Sequence, residues 1–129
     1  MQLIDDSGAA DVLGKPYIFL RIEFPNHTAI GPFRMGVLEA IHRCGSISEA
    51  AKARGVTYRM AWNVVKYLNA MFDAPLVLKK RGRRGGVLLT ERGRAVLSLY
   101  RESERITGSA IAKQVGALEK LKLRTRERS

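Results

Sequence analysis

The stretch from Gly45 to Thr57 constrains the fold of this chain more than any other part of it. Ser46-Ile47-Ser48-Glu49 is a capping box: the Ser46 hydroxyl can accept from the Glu49 backbone N–H, three residues on, and so start a helix. That helix runs to about Arg54, where Gly55 breaks it. Thr57 is a fresh N-cap for a helix from Tyr58 to about Phe72, which Asp73-Ala74-Pro75 stops. Ala61, Val65 and Leu68 form its inner stripe. Two helices of about 8 and about 15 residues joined by Gly55-Val56-Thr57 have the dimensions of a helix-turn-helix, whose linking turn is short and often holds glycine. Ala50 and Ala51 keep the first of the pair small enough for the second to cross it closely.

The flanking segments extend this pattern. Gly31-Pro32 opens an earlier helix, because proline at the first helical position forfeits only an N–H that would have had no partner. Phe33, Val37, Leu38 and Ile41 form its apolar stripe, and Gly45 ends it, so it spans Pro32 to about Cys44. After the pair, Leu76–Lys80 and Val87–Leu89 read as strands around the basic glycine loop Arg81–Gly86, a hairpin in the position of a wing. Thr90 caps a long last helix. Its apolar face carries Val96, Leu97, Tyr100, Ile106, Ile111, Val115, Leu118 and Leu121, with Gly108 and Gly116 as weak points. Near the start, Tyr17–Phe24 is dense in β-formers, places Leu20, Ile22 and Phe24 on one face, and ends at Pro25-Asn26. The predicted class is mostly α with a small β component: a winged helix-turn-helix with an N-terminal strand and a long C-terminal helix. Residues 1–14 read as a flexible acidic lead and residues 15–107 as the winged domain. Residues 108–129 read as a helical extension with a basic tail, suited to dimerisation.

Charge points to the partner. The 129 residues carry 23 Lys plus Arg against 12 Asp plus Glu, a formal net charge of +11. Residues 1–30 hold two basic and four acidic side chains, so the basic character begins with the Pro32 helix. A polyanion follows as partner, nucleic acid before an anionic membrane surface. Cys44 is the single cysteine, which excludes an internal disulfide, and at a helix end it reads as a small core residue. His27 and His42 are the only histidines, and with Cys44 they show no zinc-ligand spacing. Gly82–Gly86 lacks the Lys-hydroxyl pair of a phosphate loop. The expectation is no enzyme, no metal and no cofactor. The acidic start is unlike a signal peptide, and no apolar run reaches the roughly 20 residues of a membrane span, so a cytoplasmic chain with no membrane partner is expected.

In a helix-turn-helix the second helix enters the major groove, N-terminal residues first. Those are Thr57, Tyr58 and Arg59, with Trp62, Asn63 and Lys66 a turn on, opposite the inner stripe. Arg59 suits guanine and Asn63 suits adenine as bidentate partners, while phosphate contact is an equal reading for Arg59 and Lys66. Trp62 and Tyr58 stand open between DNA contact and packing, for Trp62 against the Pro32 helix. Ser46 and Ser48, where a helix begins, suit a phosphate, and Ser46 also serves as a plain cap. Lys79, Lys80, Arg81, Arg83 and Arg84 arm the hairpin for backbone contact, and its glycines let that backbone approach closely.

Several stretches together resemble a known family: Leu38-Glu39-Ala40-Ile41, Gly45–Lys52, Gly55–Trp62, Leu68-Asn69, Pro75-Leu76-Val77 and Leu89-Thr90-Glu91-Arg92-Gly93. Over residues 17–106 the chain resembles the N-terminal DNA-binding domain of the ModE family of molybdate-responsive transcriptional regulators. The Leu-Thr-x-x-Gly after the wing is also similar to LysR-type regulators. The resemblance implies a homodimer on a palindromic operator, often a repressor, with the flanking helices making the dimer. ModE proteins carry a molybdate-binding module after this domain, and the 129 residues leave no room for one. The expectation is therefore a sequence-specific DNA-binding regulator without its own molybdate site, either free-standing or signalled through a separate effector protein. A sequence-tolerant nucleic-acid binder is the alternative, ahead of an oxyanion sensor or an enzyme.

Overall fold

The structure is a computed structural model, and it describes residues 9–82 and 84–122. In chain order its elements are α1 (Ala9–Leu13), β1 (Ile22–Phe24), β2 (Thr28–Ile30), α2 (Pro32–Cys44), α3 (Ile47–Arg54), α4 (Tyr58–Met71), β3 (Val77–Lys79), β4 (Val87–Leu89), α5 (Glu91–Ala110) and α6 (Ala112–Leu121). The mostly helical class with two small antiparallel hairpins, β1-β2 and β3-β4, agrees with the sequence reading.

Helix α2 is the spine. Met35, Val37, Leu38, Ala40 and Ile41 are buried nearly all round it, against α3, α4, β4 and α5. Ala50 and Ala51 of α3 and Ala61 of α4 are also buried, and their small side chains let the two helices cross close to α2. The caps act as the residue types require. Glu49 N donates to Ser46 Oγ (3.0 Å), and Met60 N donates to Thr57 Oγ1 (3.1 Å). Gly45 and Gly55 end α2 and α3 in the left-handed region, with φ of 79° and 71°.

The β1-β2 hairpin lies against α4 through Ala29 N, which donates to the Tyr67 hydroxyl (2.8 Å). Helix α5 closes the other side. Its Tyr100 is buried, and the phenol donates to the Leu20 carbonyl at 2.7 Å. Burial, with Glu104 beside it, pushes this phenol above the usual tyrosine value, so it stays a donor. Arg101 joins Glu39 of α2 to Glu104 of its own helix.

Five details depart from the sequence expectations. The strand predicted over Tyr17–Phe24 is only Ile22–Phe24, because β2 offers just three residues to pair with it across the turn at Asn26 and His27. Leu20 and Ile22 pack on the core, whereas Phe24 stays exposed. The long last helix breaks at Ile111 into α5 and α6, although Gly108 and Gly116 both lie inside helices. The acidic lead contains a short helix, α1, in its described part. Cys44 is exposed and not a core residue, like His42 and Arg43 before it in the last turn of α2.

Two glycines make opposite predictions. A Cβ on Gly93 would overlap the carbonyl oxygen of Leu76, where α5 presses on the start of β3. A Cβ on Gly116 of α6 would meet nothing within 4 Å. Thermal and denaturant unfolding should show Gly93→Ala less stable by about 2–3 kcal/mol. Gly116→Ala should instead gain helicity by circular dichroism, worth up to about 1 kcal/mol locally.

Candidate nucleic-acid interface

A cleft of about 870 Å³ opens between the N-terminal end of α3, one side of α4 and the β3-β4 hairpin. Helix α4 sends Tyr58, Trp62, Lys66 and Asn69 into its wall. The hairpin sends Lys79 and Arg84, and α3 sends Ile47 and Ser48. The spacing 58, 62, 66, 69 follows the helical repeat, so these side chains stack up one side of α4. Val65, Val77 and Val87 back the cleft from the core.

The hairpin is held to the helices at three places. Asn69 makes the first tether. Its Oδ1 accepts from Leu76 N (2.8 Å) and Val77 N (3.1 Å), and its Nδ2 donates to the Val77 carbonyl (3.0 Å). At the second, Val87 N donates to the Gly45 carbonyl (3.0 Å), beside a bridge between Ser46 and Gly86. At the third, Thr90 Oγ1 donates to the Pro75 carbonyl (2.7 Å) while capping α5 through Gly93 N (2.9 Å). Between the strands the loop closes with Lys80 N donating to Gly86 O (2.9 Å), and turns through positive φ at Gly82 and Gly85.

The structure separates the sequence-predicted residues by position. Ser48, Tyr58, Trp62, Lys66, Lys79 and Arg84 line the cleft together. Arg59 and Asn63 are exposed on the outermost line of α4, opposite Ala61, Val64, Val65 and Leu68, and are not part of the cleft wall. Ser46 and Thr57 cap helices, while Lys80 and Arg81 sit at the hairpin loop, the first half-buried and the second exposed. Arg83 lies outside the described residues. Trp62, 37% exposed, faces the cleft and not α2, and the Lys66 ammonium sits 4.7 Å from its ring centroid.

Sequence reasoning missed Asn69 as the hairpin's tether, and Ile47 and Leu78 as parts of the wall. Asn69 carried a readable signal. It is a polar residue seven positions after Trp62, on the same side of an amphipathic helix, just before a strand. Among the described residues no group of His, Cys, Asp or Glu could hold a metal ion, and no helix is long and apolar enough to cross a membrane.

Residues 34–94, which contain α2, both helices of the turn and the hairpin, match the sequence model of the bacterial regulatory helix-turn-helix protein, lysR family. Residues 34–94 are thus similar to the helix-turn-helix of that family. The chain is 40% identical over 79 residues to the molybdenum transport protein ModE of Azotobacter vinelandii, which is 60% of this chain and 29% of that protein. To the transcriptional regulator ModE of Haemophilus influenzae it is 36% identical over 90 residues, 68% of this chain and 35% of that protein. The crystal structure of a LysR family transcriptional regulator superposes with a TM-score of 0.50 and 26% identity, covering 70% of this chain and 29% of that one. The chain thus spans about a third of the length of the curated relatives it matches. Within the matched segment, α3 and α4 form the helix-turn-helix and the β3-β4 hairpin stands in the position of its wing.

The Asn69 tether yields a prediction. Asn69→Ala leaves the backbone N–H groups of the buried Leu76 and Val77 without their acceptor, and should lower stability by about 2–4 kcal/mol. Hydrogen exchange should show the amides of residues 76–86 opening faster than those of α2. Asn69→Asp keeps the acceptor and should lose less.

Proposed function

We propose that the chain is a sequence-specific regulator of transcription that binds double-stranded DNA through α4 and the wing. One observation carries the reading. The segment that matches the LysR-family sequence model brings Lys66, Lys79 and Arg84 to one cleft beside α4, and turns Arg59 and Asn63 outward on the line a major groove would meet. Phosphate contacts then position the domain, and base-edge contacts from Arg59 and Asn63 select the sequence. Ser48, at the exposed start of α3, adds a backbone contact.

The working form we propose is a cytoplasmic homodimer on a palindromic operator, acting as a repressor. Leu99 and Ile106 of α5 and Leu118 and Leu121 of α6 expose large apolar surfaces, with exposures of 65%, 52%, 65% and 83%. A second copy of the chain covers them and sets two α4 helices about 34 Å apart, one turn of the duplex. The reading assigns no reaction and no molybdate to these residues, so duplex affinity should not change when molybdate is added.

The test is a binding titration across salt, with a duplex enriched from a random pool and an unselected duplex compared. With about four phosphate contacts per subunit, log K should fall against log salt with a slope near −7 for a dimer and about half that for a monomer. Arg59→Ala should cost about 1–3 kcal/mol on the enriched duplex and little on the other. Alanine at Lys79 and Lys80 should weaken both alike. Equal affinity of the unaltered chain for both duplexes would instead make it a sequence-tolerant binder.

A further inference from the structure

The cleft wall holds more apolar surface than phosphate binding needs. Tyr58 and Trp62, one helical turn apart on α4, are 55% and 37% exposed, large values for aromatic side chains in a wall backed by Val65, Val77 and Val87. Lysine and arginine surround them: Lys66 lies against the indole, and Lys79 and Arg84 face it from the wing. Such a rim draws in a polyanion, so the occupant of the aromatic surface is part of a nucleic acid and not an apolar peptide. In the major groove every base edge offers polar atoms, and the thymine 5-methyl is the apolar feature.

Helical geometry separates this pair from the polar readers. Arg59 and Asn63 stand opposite the buried stripe, whereas Tyr58 and Trp62 lean from that line toward the wing. Base pairs under Arg59 and Asn63 therefore meet hydrogen-bonding groups, and those on the wing side meet aromatic surface. The Lys66 ammonium, held over the indole, stays beside Trp62 and can pair with a phosphate flanking that base.

We infer that Tyr58 and Trp62 form a specificity-determining wall that reads the 5-methyl group of a thymine on the wing side of the site. This rests on the DNA-binding reading above and adds to it the base feature that the aromatic pair selects.

The experiment uses the whole 129-residue chain and the duplex it most enriches from a random-sequence pool. Each thymine is replaced in turn by uracil, which removes the methyl group and leaves base pairing intact. At one position per half-site, binding by the unaltered chain should weaken about fourfold, the worth of one buried methyl. With Tyr58→Ala or Trp62→Ala, the same replacement should become nearly silent in at least one variant. Circular dichroism checks that each variant is folded. If Trp62→Ala is not, the exposed Tyr58 variant decides alone. An enriched duplex on which every uracil replacement is silent overturns the inference and leaves DNA binding standing. So does a uracil effect that persists undiminished in the folded variants. A pool that yields no enriched duplex overturns the DNA-reading proposal and this inference with it.

Discussion

The side chain of Asn69 is the joint on which the arrangement turns. The wing is two strands of three residues each, and a hairpin of that size does not hold its shape in water unaided. From the last turn of α4, Asn69 accepts two hydrogen bonds from the start of the hairpin and donates one to it, so hairpin and helix move as one body. The Gly45 carbonyl fixes β4 to the turn before α3 in the same way, and Gly93 lets α5 press against Leu76 without a side chain between them. The cleft exists because these backbone groups are satisfied by Asn69 of α4, by Gly45 before α3 and by Thr90 at the start of α5.

That rigidity gives the charges a geometry. Lys66, Lys79 and Arg84 sit on elements tied together, so their spacing is set before any partner arrives and little is lost in ordering them. In the DNA-binding function proposed above, cations at such a surface govern affinity and its salt dependence, while the outward line of α4 and the aromatic pair govern which sequence is held. The two functions occupy adjacent sides of one helix. A substitution on either side therefore has a separable effect.

Legibility in the sequence followed the range of the interactions. Helix α2 was predicted from Pro32 to Cys44 and has those ends, and the caps Ser46, Thr57 and Thr90 were all readable, because each is settled within three or four residues. Pairing across distance was not readable. Nothing local in Thr28–Ile30 announced β2, whose partner is β1 and whose anchor is Tyr67. Cys44 is exposed with His42 and Arg43, because the last turn of α2 carries no buried residue after Ile41. At the site, the residue types on α4 were legible. Their division into a cleft-facing side and an outward side needed the position of the wing, and that depends on Asn69.

Chemical interference on the enriched duplex tests the central claim most directly. Guanines methylated at N7 and phosphates ethylated along both strands would be scored for loss of binding. Two patches of blocking N7 methylation about one helical turn apart, each flanked by blocking phosphates, are predicted for α4 in the major groove with the wing on the backbone. Interference from ethylated phosphates alone, with every methylated guanine tolerated, would contradict it.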